Sequence, residues 1–118
     1  MAEAFILIPS VRDMKTLDCA LQSRHREILL STVSHIGNLA ELTSLCHKHG
    51  KEAIVNHELI GGLGNDTVAF EMLKKAYKVD AVIGANPYHI SRAKAIGLKT
   101  IWKVPLLDSL SLEMAFRS

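Results

Sequence analysis

The chain has 118 residues, with 14 basic and 12 acidic side chains and a formal net charge of +2. That length sets one domain, residues 1–118, with enough chain to bury a core. The near-balanced charge excludes the strongly basic composition of a dedicated nucleic-acid binder, although a local patch acts without a large net charge.

Taken in chain order, an apolar strand pattern appears at Phe5-Ile6-Leu7-Ile8 and closes at Pro9. Asp13 is placed to cap a helix carrying Met14, Leu17, Cys19, Ala20 and Leu21. Glu27-Ile28-Leu29-Leu30 reads as the second strand. A helix from about Asn38 to His47 follows, with Leu39, Leu42, Leu45 and Cys46 near one face, and stops at Gly50. Glu52-Ala53-Ile54-Val55 is the third strand, followed by the glycine-rich turn Gly61-Gly62-Leu63-Gly64. Asn65 and Asp66 then offer caps for a helix with Val68, Phe70, Leu73 and Tyr77. Ala81-Val82-Ile83 is the fourth strand, and a short helix holds Ile90, Ala93 and Ile96 before Gly97. Thr100 to Val104 is the fifth strand, and Ser109 to Phe116 reads as the start of a fifth helix.

No opening leader pattern and no run near the roughly 20 apolar residues of a membrane span are present, so the expected compartment is the cytoplasm. Two cysteines make no disulfide framework. Cys19 and Cys46 are both expected as small buried thiols.

Five strand–helix units of short, continuously apolar strands predict a parallel α/β sheet with right-handed crossovers. Two architectures fit the pattern. One is the N-terminal part of a TIM-type (β/α)8 barrel; the other is a flavodoxin-like doubly wound sheet. Both place ligands at the carboxyl ends of the strands, where the polar residues are therefore the informative ones. These are Ser10, Arg12 and Asp13, then Ser31, Thr32 and Ser34, then Asn56, His57 and Glu58, then Asn86, and finally Lys103 and Asp108.

Arg12 offers a planar charged fork for phosphate or carboxylate, or a structural ion pair. In an extended segment His57 and Glu58 point to opposite faces and do not form a coupled pair, whereas Asn56 and Glu58 share a face suited to a polyol. The glycine-rich turn matches neither the dinucleotide fingerprint nor the Walker pattern, and reads better as a turn than as a phosphate cradle. His47 and His49 lack helical metal-ligand spacing and suit a helix C-terminus. Asp108 fits a helix cap better than a ligand contact. There is no nucleophile–base pair, and neither a metal nor a cofactor is expected. No acidic pair follows the first strand, which argues against a phosphoacceptor receiver domain.

The ordered set of motifs resembles the glycerol-3-phosphate-responsive antiterminators. Ile8-Pro9-Ser10-Val11-Arg12-Asp13 resembles the family's opening I-P-A-I/V-R-D/N. His49-Gly50-Lys51 resembles its H-G-K, and Glu58-Leu59-Ile60 with Gly62 its D-L-I-x-G. Leu106-Leu107-Asp108-Ser109 with Leu112-Glu113 resembles its L-L-D-S and following L-E. The resemblance implies a barrel related to the phosphate-binding α/β barrels and a non-enzymatic regulator. Such a regulator senses glycerol 3-phosphate and acts on the leader mRNA of glycerol-utilisation operons to prevent early termination.

It also implies either a relative shortened at its C-terminus, lacking the last three units, or a fragment of a larger protein. Strands one and five would then be exposed edges, for a second copy or another chain to cover. At other positions the family pattern changes. Asn56 replaces a histidine, Glu58 an aspartate, Gly84-Ala85-Asn86 an S-T-R, and Lys103 an arginine. The ligand-binding candidates are Arg12, Asn56, Glu58, Asn86, Lys103 and Asp108. Lys74, Lys75, Lys78, Arg92, Lys94 and Lys99 are candidates for an RNA surface. The competing readings are a ligand-free interaction module and a fragment of a phosphate-barrel enzyme using His57, Glu58, Lys103 and Asp108.

Overall fold

A computed structural model describes residues 8–31, 34–107 and 112–117. The elements run β1 (Ser10–Val11), α1 (Met14–Leu21), β2 (Glu27–Leu30), α2 (Leu39–Lys48) and β3 (Glu52–Asn56). A 3-10 turn (His57–Leu59), α3 (Thr67–Lys75), β4 (Ala81–Gly84), α4 (Pro87–Ala95), β5 (Lys99–Leu107) and β6 (Leu112–Arg117) follow. Of the expected first strand, Phe5, Ile6 and Leu7 lie outside the described residues, and the strand that pairs with β2 is Ser10–Val11.

Local chemistry explains where the helices begin. Asp13 Oδ1 accepts from the Thr16 amide at 2.8 Å, and Thr16 Oγ1 accepts from the Asp13 amide at 3.3 Å, a reciprocal capping box. That bonding lowers the Asp13 carboxyl pKa. Asp66 caps α3 through the Ala69 amide at 2.8 Å. Asn86 caps α4 by accepting from the Tyr88 amide at 2.9 Å, with Pro87 at the first helical position. After α2 and α4 the chain turns at Gly50 and Gly97, whose φ values of 73° and 91° favour glycine.

The six strands lie in the order β1-β2-β3-β4-β5-β6. Pairing is parallel from β1 to β5. Leu17, Leu39, Phe70, Leu73 and Ala93 from the four helices share one cluster with Val11, Ile28, Leu30, Ala53, Val55 and Val82 of the strands. The alternate strand positions Ile54, Ala81 and Ile101 form a second cluster with Ile8, Leu29 and Ile83. All four helices among the described residues therefore cover one face, and the order of the described strands never reverses. A doubly wound sheet needs helices on both faces and a reversal at its switch point. Sequential parallel strands with an inner apolar face and an outer layer of helices are the geometry of a barrel wall.

Two expectations need correction. The fifth helix expected from Ser109 to Phe116 is, over Leu112–Arg117, a strand antiparallel to β5. Ser109 to Ser111 lie outside the described residues. Leu112, Met114 and Phe116 alternate with Glu113, Ala115 and Arg117, a pattern compatible with a strand but too short to exclude a helix by itself. The edge of β5 expected to be exposed is thus paired within the chain, with a register shift between Pro105 and Leu107 where proline supplies no N–H.

The second correction concerns Cys19, which is exposed while Cys46 is buried. In α1 the buried side chains are Leu17, Ala20 and Leu21, the three-and-four spacing of one helical face, and position 19 falls off it.

Candidate functional site

The αβ loops lie at the end of the sheet where β3, β4 and β5 begin, and several of their polar side chains have partners. Lys51 is buried, and its ammonium donates to the Ser23 carbonyl. Asp80 accepts from the Ala53 amide at 2.7 Å and lies 2.7 Å from His47 Nε2. Glu52 and Lys99 pair at 3.3 Å. His49 contacts the Leu45 carbonyl through Nδ1 at 3.0 Å. The His49-Gly50-Lys51 motif is accounted for by this loop: a carbonyl partner, a left-handed turn and a buried ammonium cap.

At the opposite end the βα loops carry a different population. β3 stops at Asn56, whose side chain accepts from the Glu58 amide at 3.1 Å and starts the 3-10 turn. That turn folds His57 inward until it is 1% exposed. Its Nδ1 meets Asn65 Oδ1 at 2.8 Å, and its ring packs edge-on to Phe70 and His89. His57 Nε2 lies 3.9 Å from Glu58 Oε1 and has no hydrogen-bond partner among the described residues. Ser34 Oγ and His89 Nδ1 are likewise buried without a partner. Burial lowers the pKa of His57, while the Asn65 hydrogen bond and the Glu58 charge act in the opposite sense.

His57 and Glu58 were expected to point to opposite faces. They come together because the extended backbone ends one residue earlier, and a 3-10 turn does not alternate faces. Gly84 closes the site from β4: a Cβ there would stand 2.6 Å from His57 Nε2. The backbone of β4 approaches this closely only as glycine.

The structure places two of the expected site residues on one face of the sheet. Asn56 pairs with Ile83 and Ile83 with Ile101, so Asn56 and, two residues beyond Ile101, Lys103 lie on the helix-free face. Lys103 is half-buried, and Glu58 is exposed beside His57. Asn86 commits its amide oxygen to the α4 cap, and Arg12 is exposed beyond β1. Asp108 lies outside the described residues. The glycine-rich turn serves packing: Gly61 bridges to His35, and a Cβ on Gly62 would meet Ile36 at 2.8 Å.

Of the candidate RNA-surface cations, Lys74 donates to the Ile96 carbonyl, Arg92 to the Asn65 carbonyl, and Lys99 pairs with Glu52. His89 and Ser34 were not predicted as a group with His57. Sequence separation hides them, and only the parallel pairing of β3 with β4 brings His57 and His89 together.

Sequential parallel strands covered by helices on one face define the class of barrel-type α/β folds, in which ligands sit at the carboxyl ends of the strands. A profile of the family described as "Glycerol-3-phosphate responsive antiterminator" matches residues 7–118. The chain belongs to that family.

A curated relative, the uncharacterized protein YgcP of Escherichia coli, is 26% identical over 108 residues, covering 89% of this chain and 54% of the relative. The crystal structure of the glycerol uptake operon antiterminator regulatory protein of Listeria monocytogenes superposes with a TM-score of 0.80 at 23% identity, covering 90% of this chain and 57% of that one. A glycerol uptake operon antiterminator-related protein of Thermotoga maritima gives a TM-score of 0.71 at 24% identity, covering 80% and 52% of the two chains. These likenesses in structure establish the fold. The chain spans about half the length of the proteins it matches. No helix among the described residues is long and apolar enough to cross a membrane.

Proposed function

We propose that this chain is a glycerol-3-phosphate-responsive regulator of transcription termination, acting in the cytoplasm on leader mRNA of glycerol-utilisation operons and catalysing no reaction of its own. The observation that carries this reading is the family match across residues 7–118. The physical chemistry is consistent with it. Asn56 and Lys103 share the helix-free face at the ligand end of the strands, with Glu58 on the adjoining turn. An amide, a carboxylate and an ammonium suit a polyol phosphate, whose hydroxyls need donors and acceptors and whose anion needs a cation. Arg12 and Asp108 are the further ligand candidates. A second copy or another chain beside β1, at the open end of the strand order, would extend the wall toward a closed barrel.

The test is a thermal melt of the chain with millimolar glycerol 3-phosphate, with glycerol and inorganic phosphate as controls. A site whose dissociation constant lies a hundredfold below the ligand concentration adds about 2.7 kcal/mol, an upward shift of several degrees. The expected result is a shift specific to glycerol 3-phosphate. A cooperative melt indifferent to all three compounds contradicts ligand sensing by this chain.

A further inference from the structure

His57, Glu58 and His89 each offer one donor atom, and these atoms lie within 4.8 Å of one another. They come from the turn after β3 and the first turn of α4, locked together by the parallel β3–β4 pairing. Three independent features shape the cluster for a cation. First, His57 Nδ1 faces Asn65 Oδ1, an oxygen that only accepts, so Nδ1 carries the proton and the Nε2 lone pair is left facing Glu58. Metal-ligating histidines are oriented by this kind of bond on the far ring nitrogen. Second, His57 Nε2 and His89 Nδ1 are buried without hydrogen-bond partners among the described residues. By contrast, His35 Nδ1 accepts from the Gly37 amide, while His47 and His49 meet Asp80 and the Leu45 carbonyl. Third, Gly84 puts no side chain between His57 Nε2 and Glu58, where a Cβ would stand 2.6 Å from the nitrogen and 3.5 Å from the Glu58 carboxylate.

We propose that His57, Glu58 and His89 form a binding site for a divalent first-row transition metal of the zinc class. Two imidazoles and one carboxylate are a borderline-soft donor set suited to zinc, cobalt or nickel and poorly suited to magnesium or calcium. Zinc bonds of about 2.0–2.2 Å place tetrahedral ligand atoms roughly 3.3 Å apart. The 3.9 Å separation of His57 Nε2 and Glu58 Oε1 closes to that value by rotation of the exposed glutamate side chain. Three protein donors leave a coordination position for water or an anionic ligand. Glu58 is also a candidate contact for glycerol 3-phosphate, but the metal is titrated with neither that ligand nor RNA present, so its binding is tested separately from the regulatory reading.

The experiment is a titration of the chelator-stripped full chain with Co2+, followed by its visible ligand-field bands, with Zn2+ displacement and metal content after desalting. One equivalent per chain is expected. Glu58→Ala and His89→Ala should each weaken binding by more than the roughly 10–100-fold that losing a supporting hydrogen bond behind a metal ligand costs. Asn65→Ala should fall within that range, and His47→Ala should bind as the unaltered chain does. Glu58 is exposed, so Glu58→Ala decides the matter even if His89→Ala melts early. Absence of binding by the unaltered chain, or equal binding by Glu58→Ala, would overturn the site.

Discussion

Where β3, β4 and β5 begin, Lys51, Asp80, His47, Glu52 and Lys99 each have a partner and the loops are closed by it. Where β2, β3 and β4 give way to the next loop, Ser34 Oγ, His57 Nε2 and His89 Nδ1 are buried with none among the described residues. One end of the wall is built for stability, the other leaves bonding capacity unspent. Buried polar atoms without partners cost free energy, so their collection at the carboxyl ends of the strands makes that end the place to look for a ligand.

The largest expected effect breaks the contrast directly. Asp80→Ala strips the partner from the amide of fully buried Ala53 and from His47, and should cost about 1–3 kcal/mol in urea unfolding. Glu58→Ala, at the other end, should stay within about 0.5 kcal/mol of the parent. Equal losses in the two variants would erase the distinction between the ends.

A smaller effect sharpens it, because Cys46 lies in the closed half of the molecule. Burial, with the Asp80 charge adding to it, pushes its thiol up to about 11 from 9.0. Cys19 should react with a thiol reagent at pH 8 and Cys46 only on unfolding. The unfolded chain gives up the Cys46 proton first as pH rises. This contribution to stability is therefore complete below pH 9 and declines as pH climbs from 9 toward 11. Labelling of both thiols at equal rates in the folded chain would contradict the burial of α2 against the sheet.

Much of the wall was legible before the structure. The apolar runs at Glu27–Leu30, Glu52–Val55 and Ala81–Ile83, the caps at Asp13 and Asp66 and the glycine stops at 50 and 97 all act through local chemistry, which a sequence displays. What stayed hidden depends on partners distant in the chain. Leu112–Arg117 carries too short a pattern to separate period two from period 3.6, and its pairing with β5 decides the matter. His57 and Glu58 converge because the strand ends at Asn56, a boundary set by one side-chain hydrogen bond. His89 joins them across β4 and shows no sequence signal beyond its place three residues after the cap Asn86.

The most direct measurement is a glycerol 3-phosphate titration of the isotopically labelled chain, following backbone amide shifts by NMR. The account predicts that the largest changes fall on Asn56 to Glu58, Gly84 to Asn86 and Lys103, with the amides of Lys51, Glu52 and Asp80 undisturbed. Changes centred on those last three residues, or none at any ligand concentration, would contradict the assignment of the ligand end.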